Sequence, residues 1–286
     1  MTAASDLLSA PVGPSGRRTP LTAVLALAFL AVVAVAVVAG PLVVPDAMRQ
    51  DILSGLLPAG SPGHPLGTDE LGRDILAMTV AGAASALVGP VCVAIGSMVL
   101  GVVLGTLAGY QRGWLDVVIS RWTDLLLALP VLLAAIVVSG VFGGGYWVIV
   151  VLLILLFSPS DIRIVRAGVL EQSARPYIEA ARMLSLSRWR VMFRHILPNV
   201  STLVITNMML NVAFAIVAFS SLSFLGVGVA AGTADWGRQL TDNRAIMFDN
   251  PAAVVVPALL IILVASSVNY LGDWAGQRLS RTGDAA

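Results

Sequence analysis

Residues 175–199 read Arg-Pro-Tyr-Ile-Glu-Ala-Ala-Arg-Met-Leu-Ser-Leu-Ser-Arg-Trp-Arg-Val-Met-Phe-Arg-His-Ile-Leu-Pro-Asn. Glu179-Ala180-Ala181 stands near the start, and His195-Ile196-Leu197-Pro198-Asn199 closes the stretch. Seven arginines lie in or beside it: Arg163, Arg166, Arg175, Arg182, Arg188, Arg190 and Arg194. The runs on either side are uncharged and long enough to cross a bilayer, which takes roughly 20 apolar residues. The pattern therefore predicts a polar helical hairpin set between membrane helices.

Composition agrees. Of 286 residues, 58% are hydrophobic and only 12% are charged, against roughly 25% charged in a soluble domain. With a mean hydropathy of +0.91, the chain reads as an all-α, polytopic membrane protein. The net charge of +1 suggests no nucleic-acid partner. Every basic residue is arginine. A P-loop needs its lysine to reach the phosphates, and a kinase needs its strand lysine. Any ATP chemistry must then reside in another subunit. The lone Cys92 leaves no internal disulfide and no cysteine-based zinc site.

The uncharged runs are Thr19–Pro45, Ile75–Gln111, Leu125–Ser160, Val200–Ala234 and Asn250–Gly272. Gly143-Gly144-Gly145 divides the third into two helices. Gly89-Pro90 marks a bend in the second, which holds one span and an approach segment. Six spans follow, near 20–42, 84–109, 118–140, 146–168, 200–225 and 251–274. The first is longer than the roughly 7–15 residues of a signal-peptide core and reads as uncleaved. Thirteen arginines fall on one side of this arrangement and four on the other, and the richer side is expected to be cytoplasmic. Residues 1–19 and 275–286 are then cytoplasmic tails and 43–83 an outer loop. Residues 84–274 form a five-helix core carrying a cytoplasmic loop at 169–199. Gly101, Gly105 and Gly109, with Ser97 a turn earlier, are spaced for close packing of helices inside one bundle.

Within the hairpin, 176–184 reads as one helix, with Pro176 in its first turn and Ser173 as a plausible cap. A second runs from Ser187 to Ile196 and is ended by Pro198. Trp189, Met192, Phe193, Ile196 and Leu197 share one apolar face. Such an element suits either docking to a partner or rest on anionic headgroups.

Glu179-Ala180-Ala181 and His195, Leu197, Pro198 and Asn199 resemble the cytoplasmic loop of permease subunits of ATP-binding-cassette importers. Three further blocks resemble the dipeptide, oligopeptide and nickel branch, and its C-type member. They are His64-Pro65-Leu66-Gly67-Thr68-Asp69-Glu70-Leu71-Gly72-Arg73-Asp74, Ser221-Leu222-Ser223-Phe224-Leu225-Gly226 and Asp235-Trp236-Gly237. The likeness covers roughly residues 20–278. It implies a type I importer permease in a bacterial inner membrane. It implies a second, homologous permease, two ATPase subunits or domains that hold ATP and magnesium, and an extracytoplasmic binding protein. This chain itself would carry no catalytic residue, no metal and no cofactor. Coupling to the ATPase is assigned by resemblance to Glu179, Ala180, Ala181, Met183, Leu184, Ser185, Arg188, His195, Pro198 and Asn199. Ser185 stands where the family has glycine. It either adopts a left-handed conformation, at a cost of about 1 kcal/mol, or caps the second helix.

Asp69, Glu70, Arg73 and Asp74, with Asp235 and Trp236, are expected in outer loops that face the binding protein. His64 beside three acids admits a metal site, but the glycines and prolines there fit a turn-rich loop better. Asn207, Asn211 and Asn269 lie inside spans, where polar groups line a path or join helices. Asp124, Asp161 and Asp273 are expected at helix ends, paired with Arg121, Arg163 and Arg278. Glu179 itself has Arg175 and Arg182 as nearby partners on its own helix. An ion-coupled secondary transporter would need carboxylates at mid-membrane. An intramembrane enzyme would need a catalytic pair that His64 and His195, on opposite sides, cannot form.

Overall fold

The computed structural model describes residues 20–283, so the expected tail over 1–19, with Arg17 and Arg18, and residues 284–286 lie outside it. The helices are α1 (Leu21–Val43), α2 (Ile75–Gln111), α3 (Gly113–Leu127), α4 (Val131–Phe142), α5 (Tyr146–Ser173), α6 (Pro176–Met183), α7 (Arg188–Arg190), α8 (Leu197–Phe224), α9 (Trp236–Asp242) and α10 (Ala252–Gly283). Among the described residues the only β-pairing is two isolated bridges in the outer loop. Among the described residues five helical stretches are long and apolar enough to cross a membrane, and the count is six if α3 and α4, a bent pair, together make one broken span.

Three of these differ from the expected spans. The second span and its approach segment are one helix, starting at Ile75 because Asp74 caps it by accepting from Ala77 N at 2.7 Å. At Gly89-Pro90, where a bend is expected, the helix runs on unbroken and is entered by Tyr146. Its hydroxyl accepts from Gly89 N at 2.6 Å and donates to Ser85 O at 2.8 Å, a side chain inserted into the helix ladder. The span expected over 118–140 is instead two helices meeting at 87°. Pro130 is the cause, since it lacks an N–H and pushes Leu129 out of helical geometry. Finally, Pro198 does not end a helix. Residues 191–196 form a π turn that runs straight into α8, and the wider turn makes room for the proline ring.

The core is centred on α2 and α5. A Cβ added at Gly101 would lie 2.4 Å from Asp161 Cβ, one at Gly105 2.7 Å from Ile162 O, and one at Gly109 2.9 Å from Arg166 O. The glycine stripe is thus the seam between α2 and α5, the packing role its spacing implied. Cys92 packs beside the adjoining cluster of Val93, Leu153 and Phe219. On the α3 side, Asp116 takes both Nε and Nη2 of Arg166, at 2.5 and 2.8 Å. Asp124 pairs with Arg163 at 2.6 Å rather than with Arg121.

Candidate functional site

The hairpin leaves α5 at Ala174 and returns to the bundle at Val200. Pro176 occupies the first turn of α6 and its flanking Arg175 is extended. No side chain caps this helix, so Ser173, which is buried, is not its cap. Ile178 and Ala181 on one side of α6 are buried with Val165, Val169, Val191, Ile196 and Val200. Burial of such aliphatic side chains, at about 25 cal/mol per Å2 of apolar surface, holds the short helix to the bundle. Glu179, Ala180 and Met183 are exposed on the other side.

Glu179 makes no ion pair with its neighbours on α6. Arg175 binds Glu171 at 3.0 Å, and Arg182 lies over the Tyr110 ring, 5.3 Å from its centroid. The exposed carboxylate therefore has no ion-pair partner among the described residues.

Ser185 settles the turn. It adopts φ +55°. Its N–H meets Arg182 O at 2.9 Å and the N–H of Leu186 meets Ala181 O at 3.4 Å. This is a Schellman closure with Leu186 folded onto the apolar cluster, the shape a glycine would give. The capping role falls to Ser187, whose hydroxyl accepts from Arg190 N at 3.4 Å. The single apolar face expected for the second helix is divided by the π turn. Met192 and Ile196 are buried, while Trp189 and Phe193 are exposed and stack on each other at 5.7 Å. Asn199 donates to His195 O at 2.6 Å, bracing the turn around the exposed Pro198. Leu184 is exposed at the tip beside Met183, and Arg188 opens the second helix.

Deeper in the bundle, Asn207 and Asn211 both donate to Asp161 Oδ1, each at 2.6 Å. Asp161 is fully buried and is not paired with Arg163. The expectation of an interfacial pair fails because α5 continues to Ser173, which places Asp161 well inside the helix. Asn269 lies exposed on α10, apart from this cluster.

At the opposite end, the loop before α2 is tied down by its carboxylates. Asp69 accepts from Leu71 N at 3.0 Å, Arg73 N at 2.8 Å and Arg73 Nε at 2.6 Å. Asp74 pairs with His64 Nδ1 at 2.7 Å. A Cβ on Gly72, at φ +70°, would fall 1.7 Å from Asp51 O, so only glycine fits there. Asp235 accepts from Ser223 and Ser85, and Trp236 Nε1 donates to Thr79 O at 2.8 Å. Glu70 is exposed beside this network. Asp69 and Asp74 thus spend their oxygens on protein donors.

The binding-protein-dependent transport system inner membrane component family matches residues 101–281, a stretch that contains the whole hairpin. The chain belongs to this family. It is 34% identical over 213 residues to the glutathione transport system permease protein GsiD of Pectobacterium atrosepticum, covering 74% of this chain and 71% of that one. It is 33% identical over 233 residues to the dipeptide transport system permease protein DppC of Alkalihalophilus pseudofirmus, covering 82% and 77%. To DppC of Haemophilus influenzae it is 31% identical over 257 residues, covering 88% and 87%. Among solved structures, the MetNI methionine ABC transporter in inward facing conformations aligns with a TM-score of 0.54 at 18% identity, over 72% of this chain and 95% of that one. An amino acid ABC transporter aligns with a TM-score of 0.52 at 17% identity, over 70% and 94%. These two share the type I importer permease fold. The protein is a multi-pass permease subunit of an ATP-binding-cassette importer, and it works within a complex with an ATPase and a binding protein.

Proposed function

We propose that this subunit forms half of the translocation pathway for dipeptides, oligopeptides or a related small solute, and that the hairpin around Glu179 receives its drive from a separate ATPase. The observation that carries this reading is the division of α6. Its aliphatic side is sunk into the bundle, while Glu179, Ala180 and Met183 are offered outward with the carboxylate unpaired. A charged group left exposed on a firmly seated helix suits insertion into a groove that supplies a cation. The peptide class of cargo is supported by the names of the relatives.

In this reading the complex holds a second, homologous permease, two ATPase subunits or domains and an extracytoplasmic binding protein. ATP and magnesium belong to the ATPases, and this chain carries out no catalysis of its own. The arginine-rich hairpin side, with both termini, faces the cytoplasm. Asp69, Glu70, Arg73, Asp74, Asp235 and Trp236 shape the surface that meets the binding protein. A secondary transporter is disfavoured because the buried Asp161 is engaged by two amides from α8.

Cross-linking tests the coupling role. Met183→Cys in a Cys92→Ser background is paired with a cysteine in the groove of the co-expressed ATPase. A cross-link whose yield changes with ATP is the expected result. Its absence in membranes that contain both proteins would refute docking through α6. Uptake by the reconstituted importer of a labelled dipeptide, with a free amino acid as control, tests the cargo class.

A further inference from the structure

Three guanidinium groups gather where the end of α2 meets α6. They line a cleft of about 480 Å3 formed by Tyr110, Gln111, Arg112, Arg182, Leu186 and Arg188. Among the described residues, no carboxylate lies within ion-pair distance of Arg112, Arg182 or Arg188. Asp116 feels the charge of Arg112, but both its oxygens are already bound by Arg166. Like charges held in one concavity repel, and a bound anion relieves that repulsion.

Two further observations indicate the anion. The first is position around α6. Arg182 sits on the flank next to the buried Ala181 and reaches back to Tyr110 on α2. Glu179, Ala180 and Met183 are exposed on the same short helix and do not line the cleft. The cleft therefore lies between the hairpin and the end of the membrane helix α2. The second is depth. Gln111 closes the apolar run of α2, and Trp114 just beyond it is 73% exposed, as suits a ring at the lipid–water boundary. The cleft is thus level with the phospholipid headgroups.

We propose that this cleft binds the phosphodiester headgroup of an anionic phospholipid, gripped by Arg112, Arg182 and Arg188. The planar guanidinium fork matches phosphate oxygens, and basic pockets beside membrane helices suit such headgroups. Leu186 provides an apolar wall where the headgroup meets its glycerol. Because Arg182 belongs to α6, an occupied cleft pins the hairpin to the end of α2. This site is independent of the cargo, and its Arg112 and Arg182 lie outside the residues assigned to ATPase coupling.

The test uses the full-length chain in detergent, titrated with short-chain phosphatidylglycerol or phosphatidylcholine and followed by native mass spectrometry and thermal unfolding. Phosphatidylglycerol is expected to bind about tenfold more tightly or better. The triple variant Arg112→Gln, Arg182→Gln, Arg188→Gln should lose that preference, and Arg194→Gln should keep it. Should the triple variant fail to fold, Arg112→Gln alone is expected to reduce the preference several-fold. Equal binding of the two lipids, or an undiminished preference in these cleft variants, would overturn the proposal. Displacement of phosphatidylglycerol by millimolar inorganic phosphate would instead identify a free-phosphate site and overturn the lipid as occupant. Loss of the bound lipid on assembly with the ATPase would show that the arginines serve a protein contact, and would overturn it equally.

Discussion

Asn211 on α8 places its amide nitrogen 2.6 Å from Asp161 Oδ1 on α5, and both residues are buried. Asn207, one turn away, binds the same oxygen. A single carboxyl therefore joins two membrane helices at the depth where they also pack on α2.

Replacing Asp161 with alanine removes the shared acceptor and strands two amides. Each buried group left unsatisfied costs about 1–3 kcal/mol. Asp161→Ala is expected to lower the thermal unfolding temperature in detergent clearly. Asp161→Asn keeps one acceptor oxygen and should cost less. Equal loss in the two variants would show that the acceptor is not what matters.

Glu179→Ala is expected to leave the subunit inserted and assembled while ATP hydrolysis no longer drives uptake. The measurement is uptake per ATP hydrolysed in proteoliposomes. An unchanged ratio would remove Glu179 from the coupling role.

Ser185→Gly should stabilise the hairpin by about 1 kcal/mol, the cost of holding a side chain at positive φ, with transport retained. Ser185→Val, β-branched at the same φ, should destabilise it. Limited proteolysis between α6 and α7 reads both effects.

Gly105→Leu is expected to abolish the folded subunit, because even a Cβ there meets Ile162 O at 2.7 Å and Val165 Cβ at 2.9 Å. Gel filtration should show aggregate rather than a monodisperse peak. Gly140→Ala, where a Cβ meets nothing, is the matched control.

Asp69→Ala leaves Arg73 buried without its partner, a loss of about 3–5 kcal/mol. The outer loop should loosen, and affinity for the binding protein should fall. Metal content, measured by elemental analysis, should be zero before and after the change.

Much of this architecture was legible because apolar run length and arginine placement are strong, additive signals. The glycine seam of α2 could be read from spacing alone. The double helix of α3 and α4 could not, because an apolar run records length and says little about direction. Pro130 was the available sign. Pro198 misled in the opposite sense, since a proline ends a helix only where no wider turn accommodates its ring. For Asp161 the sequence offers Arg163 two residues on, which points to an interfacial pair. Its partners lie 46 and 50 residues away on another helix, and sequence distance hides such a pairing. Ser185 kept the turn of a glycine because Leu186 and two backbone bonds hold it there.

The π turn makes residues 188–224 one uninterrupted helix of 37 residues, about 55 Å long at 1.5 Å per residue. One end carries the stacked Trp189 and Phe193, and the other carries Ser223, hydrogen-bonded to Asp235. The Trp189–Phe193 stack and the Asp235–Trp236 corner are therefore joined by one continuous helix, with no loop between them.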